Sequence, residues 1–306
     1  MPGDSYLGMF NNLSPEEEAL KHELKGHVQY LAENIGERNL WHYESLAAAA
    51  EYIKSVLTRY QYKVKMQNFE VQGKTVSNIE AEILGTSRTQ EIVIVGAHYD
   101  SCIGCPGAND NGSGVAALLT VAHLLHQNRF QRTLKLVAFV NEEPPFFQSD
   151  FMGSYVYAKQ AKEQNENIKA MFSLETIGYY SNKKGSQKYP IPFSLFYPDR
   201  GNFIAFVSNL ESAELLKSSV KSFRDNTAFP SQGAAAAQWI PGIAWSDQWS
   251  FWKMGYRAVM ITDTAPFRYP HYHLGTDLQK YIDFDCLARV TLGLYGVFCD
   301  LLGKVD

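Results

Sequence analysis

The chain has 306 residues, 45% hydrophobic and 13% aromatic, which is enough apolar material for a sizeable core and excludes disorder as a description of the whole. Twenty-eight Lys+Arg against 32 Asp+Glu leave a formal net charge of -4, too mild for nucleic-acid binding driven by bulk charge. Four cysteines (Cys102, Cys105, Cys286, Cys299) do not make a disulfide scaffold, no apolar run is long enough to span a bilayer, and Met1–Ser5 carries no secretory pattern, so no nucleic-acid or membrane partner is expected and a cytoplasmic location is the default.

Ser14-Pro15-Glu16-Glu17 predicts a helix start, with Ser14 as cap, Pro15 in the first helical position and Glu17 completing a capping box. Leu20, Leu24, Val28 and Leu31 follow at helical spacing. A second helix is expected over about Tyr43 to Tyr60, its apolar face formed by Leu46, Ala50, Ile53, Leu57 and Tyr60. The period then becomes two: Val64 and Met66, and later Ile79, Ala81 and Ile83, alternate like strands. Glu91–Ala97 and Leu134–Val140 are near-continuous apolar runs, as expected of strands buried on both faces. Between them Gly112–Asn128 reads as a helix with Val115, Leu118, Leu119, Ala122 and Leu125 inward. A helix near Ser149–Lys162, strands at Ala170–Ile177 and Phe203–Val207, and a helix at Ser212–Phe223 follow. Gly233–Ala237 is expected as a helix or a flexible loop, Arg257–Thr262 as a strand and Asp283–Leu302 as the closing helix. This alternation implies an α/β fold, a doubly wound and mostly parallel central sheet flanked by helices. The whole chain, 1–306, is expected as one domain with N-terminal helices 14–60 packed on it. In such sheets ligands gather at the carboxyl ends of the strands.

Those ends carry the chemistry. The first buried strand runs into Gly96-Ala97-His98-Tyr99-Asp100-Ser101, and the loop after it reads Gly107-Ala108-Asn109-Asp110-Asn111-Gly112-Ser113-Gly114. The next strands end in Asn141-Glu142-Glu143 and Leu174-Glu175-Thr176, and Tyr269-Pro270-His271-Tyr272-His273 follows the last one. Imidazoles and carboxylates without clustered thiolates suit zinc, manganese or cobalt. Two imidazoles and three carboxylates suffice for two metals if one carboxylate bridges. One member of the Glu142-Glu143 pair is then left to hold the proton of an attacking water. His271 and His273 compete as ligands on spacing alone. His22, His27, His42, His123 and His126 lie on predicted helices or their flanks and have no partner pattern.

His98-Tyr99-Asp100-Ser101, the Gly107–Gly114 loop, Asn141-Glu142-Glu143, Met152-Gly153-Ser154, Leu174–Tyr179 and Tyr272-His273 resemble, in order, the motifs of the M28 family of zinc aminopeptidases. The resemblance implies a zinc exopeptidase-like, phosphorylase/hydrolase-like fold with two zinc ions, or other divalent transition metals, and a peptide substrate with a free N-terminus. On it, His98 and Glu175 ligate one zinc, Glu143 and His273 the other, and Asp110 bridges. Glu142 is the general base, Asp100 orients His98, and the Asp110-Asn111 peptide bond is cis. Two departures stand out: Glu175 occupies a position more often aspartate, and Ser246-Asp247-Gln248 replaces a more usual Ser-Asp-His. The alternatives on the same scaffold are single-zinc acyl transfer, as in glutaminyl cyclases, and a non-catalytic binding module. Oligomeric state is not readable from the sequence.

Among the remaining features, Cys102-Ile103-Gly104-Cys105 is expected as two free thiols rather than a small-loop disulfide, since no oxidising compartment is indicated. Cys286 and Cys299 belong to the core of the last helix. Trp239, Trp245, Trp249, Phe251 and Trp252 are expected mainly as core, and the loops 181–202 and 224–246 as walls of the pocket.

Overall fold

The capping signal at Ser14 is realised in full: Ser14 Oγ accepts from Glu17 N, and the Glu17 carboxylate accepts from Ser14 N, opening helix α1 (Pro15–Gln29). This is a computed structural model, and it describes residues 1–305. A π-helical turn continues α1, and α2 (Tyr43–Arg59) follows. Strands β1 (Val64–Val71) and β2 (Lys74–Ile83) form a hairpin, and β3 (Arg88–His98) leads through a loop to α3 (Gly112–Leu125). Then come β4 (Arg129–Phe130), β5 (Arg132–Phe139), α4 (Gly153–Glu163) and β6 (Ile168–Glu175). The remainder comprises β7 (Ile204–Ser208), α5 (Ala213–Asn226), β8 (Ser231–Ala235), α6 (Gln248–Lys253), β9 (Ala258–Thr262), α7 (Phe284–Leu302) and β10 (Lys304–Val305).

Eight strands form one sheet in the order β1-β2-β5-β3-β6-β9-β7-β8. The centre, β5-β3-β6-β9, is parallel, β7 runs antiparallel to β9, and the β1-β2 hairpin joins β5 antiparallel. Along β3, Val93, Val95 and Ala97 enter one core and Ile92 and Ile94 the other, the period-two alternation of a strand covered on both faces. Helices α1, α2, α3, α5 and α7 cover the first face, and α4 and α6 the second. Helix α3 is buried nearly all round, which explains why its sequence is apolar on every side.

Three differences from expectation concern local structure. Gly233–Ala237 is mostly a strand rather than a helix or a flexible loop: β8 pairs in parallel register with β7, and that ladder satisfies the backbone of the alanine-rich run. The helix expected from Ser149 begins at Gly153, because Gln148 adopts a positive φ of 56° and Met152 is extended. Helix α6 was not expected, since its six residues are too few to show a helical period.

Candidate metal centre

The four parallel strands deliver their carboxyl ends to one edge of the sheet, and the turns beyond them are fixed by side-chain hydrogen bonds to backbone. In the Gly107–Gly114 loop, Asn111 Oδ1 accepts from Gly114 N and Thr176 N while its amide donates to Leu174 O. Asn109 donates to Asp263 and accepts from Gly178 N. Ser113 Oγ donates to Asn109 O and accepts from Ile177 N. The polar residues of this motif thus stitch the start of α3 to the end of β6. A Cβ at Gly114 would collide with Asn111 and the Leu174 carbonyl, and Gly107 sits at φ 65° with a Cβ position only 2.7 Å from Asp110 O. Asp277 holds the loop from the other side: its carboxylate accepts from Asn109 N at 2.9 Å, Asp110 N at 3.0 Å and Tyr269 OH at 2.7 Å. The Asp110-Asn111 peptide bond is cis, as the family resemblance implies.

These turns bring together His98, Asp110, Glu142, Glu143, Glu175 and His273. His98 Nε2 lies 3.4 Å from Asp110 Oδ1, 3.2 Å from Glu175 Oε2 and 3.8 Å from Glu142 Oε2. His273 Nε2 lies 3.2 Å from Asp110 Oδ2 and 3.1 Å from Glu143 Oε2. Asp110 therefore offers one oxygen to each histidine. All but His273 are buried. Yet His98 Nε2, Asp110 Oδ2 and both Glu143 oxygens have no hydrogen-bond partner. Buried polar atoms so close together and unsatisfied suit shared cations, and their nitrogen and oxygen donors fit zinc.

The carboxylates and imidazoles perturb one another accordingly. Burial disfavours charge on His98, but Glu142, Glu175, Asp100 and Asp110 outweigh it and hold its pKa well above the ordinary value. Burial likewise opposes His273, which Asp110 and Glu143 push up to about 10. Burial would raise Asp110, but the adjacent His273 and His98 imidazoles bring it below the usual carboxylate range. Burial raises Glu143 to about 7, with Asp110 adding to it, and holds Glu142 well above the usual range against the pull of His98.

Asp100 does more than face His98. Its Oδ1 is 3.5 Å from His98 Nδ1, and its two oxygens accept from Glu142 N and Glu143 N, both at 3.1 Å. Asp100 thus orients the imidazole, whose Nδ1 lies 3.2 Å from its backbone carbonyl, while its carboxylate holds the turn bearing both glutamates. Asn141, at φ 59°, supplies the left-handed bend between β5 and that turn. Glu175 is held by Thr176 Oγ1 on Oε1 and by Ser246 Oγ on Oε2, both at 2.7 Å, so its extra methylene relative to aspartate is fixed in place.

The Ser-Asp-Gln segment divides: Ser246 reaches Glu175, whereas the buried Gln248 donates to Ile243 O within its own loop. His271 turns away to Thr276 Oγ1 and stacks on Tyr281. Cys102 and Cys105 are not the free thiols expected but a disulfide: the turn through Gly104 at φ 78° brings their Cα atoms to 5.4 Å, within bonding reach. The aromatic cluster also divides, with Phe251 and Trp252 buried, Trp239 and Trp245 exposed, and Trp245 at the edge of an apolar pocket.

Sequence reasoning missed Asp277 and Arg38, and it singled out Ser246 only as part of the Ser-Asp-Gln segment without giving it a contact. Arg38 is wholly buried, and its guanidinium donates to the carbonyls of Tyr99, Pro106 and Gly107, bracing the loop from His98 to Asp110. Nothing in the local pattern marks it, because the loop carbonyls it braces lie more than sixty residues away.

The family model described as Peptidase family M28 matches residues 78–297. The chain is 37% identical over 284 residues to "Uncharacterized protein YfbL" of Escherichia coli (strain K12), covering 89% of this chain and 85% of that one. It is 30% identical over 247 residues to a "Probable leucine aminopeptidase" of Arthroderma otae, covering 75% of this chain and 58% of the relative's length. Among solved structures, BSAP, a zinc aminopeptidase from Bacillus subtilis, shares the fold with a TM-score of 0.75 at 16% identity, covering 92% of this chain and 95% of that one.

Proposed function

The chain belongs to peptidase family M28, and from that premise we propose that it is a zinc-dependent aminopeptidase that releases N-terminal residues from peptides at a two-zinc centre. The observation that carries this reading is Asp110, which aims one oxygen at His98 and the other at His273. His98 and Glu175 would hold one zinc, Glu143 and His273 the other, with Asp110 between them. When bound, zinc acts as a Lewis acid that lowers the pKa of water and polarises a carbonyl.

The protein's own groups supply the rest. Glu142 lies beside His98 with its proton affinity raised by burial, the direction a general acid–base needs. It takes the proton of the attacking water and delivers it to the leaving amine. Asp100 is a positioning residue that fixes the His98 ring and the Glu142-Glu143 turn. Beside Glu175 and Tyr272 opens a pocket walled by Tyr189 and Phe193 from 181–202, Phe203 just before β7, Trp245 from 224–246 and Phe267 from the turn after β9. Such walls favour a large apolar side chain on the first residue. A single-zinc cyclase would leave one of the two histidine–carboxylate groups without a role, and a binding module would not need the complete set.

Turnover of amino-acid anilides by zinc-loaded protein, with metal counted per chain, tests the reading. Two zinc ions and leucine or phenylalanine anilide cleaved at least about tenfold better than alanine anilide are expected. One zinc with cyclisation of N-terminal glutamine would establish acyl transfer instead, and full zinc without turnover would establish a binding module.

A further inference from the structure

We infer that Cys102 is a redox-gated ligand of the metal held by Glu143 and His273, withheld while paired with Cys105 and released as a thiolate when a dithiol reduces the pair. The inference rests on the reading of Glu143 and His273 as metal ligands. The Cys102 sulfur, a Glu143 carboxylate oxygen and a His273 ring nitrogen all lie within 4.8 Å of one another. Glu143 is only 3% exposed, and neither of its oxygens has a hydrogen-bond partner. The sulfur is carried by a braced loop: Ser101 N donates to Arg38 O at 2.9 Å, and Ser101 Oγ donates to Cys105 O at 2.9 Å.

The chemistry follows from coordination number. Asp110, Glu143 and His273 are three protein ligands, the pattern that keeps a fourth position for water or substrate. A thiolate joining them completes four protein ligands, the closed pattern of structural zinc sites, and zinc accepts sulfur, nitrogen and oxygen together. The gate therefore trades turnover for metal retention. Reduction is a two-electron exchange. One thiolate of the dithiol attacks Cys105 Sγ, the disulfide bond breaks, and the electron pair leaves on Cys102. The second thiol of the reductant then displaces Cys105 as a thiol and closes the reductant's own disulfide. Cys102 is the better leaving group because the adjacent metal stabilises its thiolate. Both cysteines are buried, and the exposed Ile103 and Gly104 between them at the tip of the loop give the reductant its approach.

Cobalt substitution reads the ligand directly. Cobalt-loaded protein titrated with dithiothreitol should gain a near-ultraviolet sulfur-to-cobalt charge-transfer band. Its rate of metal loss to a chelator should fall by about tenfold or more, the scale on which even outer partners of a metal site change affinity. Cys105→Ser, which leaves Cys102 unpaired, should show the band without reductant. Cys102→Ser should never show it. Oxidised protein that takes up no cobalt would overturn the metal reading itself. Protein that binds cobalt yet shows no band on reduction or in Cys105→Ser would overturn the gate alone.

Discussion

At the residue scale, Glu142 and Glu143 are neighbours in sequence with opposite duties, and substitution separates them. Glu142→Gln keeps shape and removes the base, so it should retain metal while losing about 10²–10⁴-fold in turnover. Glu143→Gln should instead shed metal. Metal analysis beside steady-state kinetics checks both, and metal loss in Glu142→Gln alone would exchange their roles. The imidazoles give a second expectation. With His273 held near a pKa of about 10 and His98 well above its ordinary value, both carry protons at neutral pH in the metal-free protein. Zinc needs them neutral, so its binding must release protons. Apparent affinity should fall about tenfold per pH unit for each proton displaced as pH drops below those values, more steeply once Glu143 protonates below about 7. Competition titrations with a chelator across neutral pH measure the slope, and a flat profile would contradict the charge assignment. The candidate ligands were legible in the sequence because they fall at strand ends within short motifs. Asp277 and Arg38 were not, because they act on backbone atoms far along the chain, and such contacts leave no local pattern.

At the element scale, the turn after β9 and the loop before α3 are joined through Asp277. Its carboxylate meets two backbone N–H groups and a phenol, and an amide in its place has one acceptor oxygen where two are used. Asp277→Asn should cost about 1–3 kcal/mol of stability, the penalty of a buried donor left unpaired. It should also weaken zinc binding, because both Asp110 and His273 would lose their shared support. Denaturant melts of metal-free protein read the first effect and chelator competition the second, and an unchanged zinc affinity would show that the two turns are positioned independently. The strands that bear the site were readable from buried apolar runs, with ends shifted by only a few residues. The failures were β8 and α6. Pairing with β7 overrides the helix-forming composition of β8, and α6 is too short to declare a period.

At the scale of the whole molecule, the ligands occupy one rim while the two cores lie along both faces of the sheet. The fold should therefore outlast its metal. Chelator-stripped protein should keep its far-ultraviolet circular dichroism, and zinc at about a hundred times its Kd should add about 2.7 kcal/mol of stability for each site filled, raising Tm by several degrees. Collapse on stripping would show that the rim organises the fold rather than resting on it. The brace at Arg38 has a different bearing, on how such proteins can be recombined. One guanidinium ties the segment between α1 and α2 to three carbonyls of the loop beyond β3, and a lysine there would offer a point charge instead of a planar fork. The N-terminal helices are thus not an exchangeable cassette: a chimera that imports residues 1–60 from a relative inherits a working centre only if the donor's arginine and the recipient's 99–107 backbone still match.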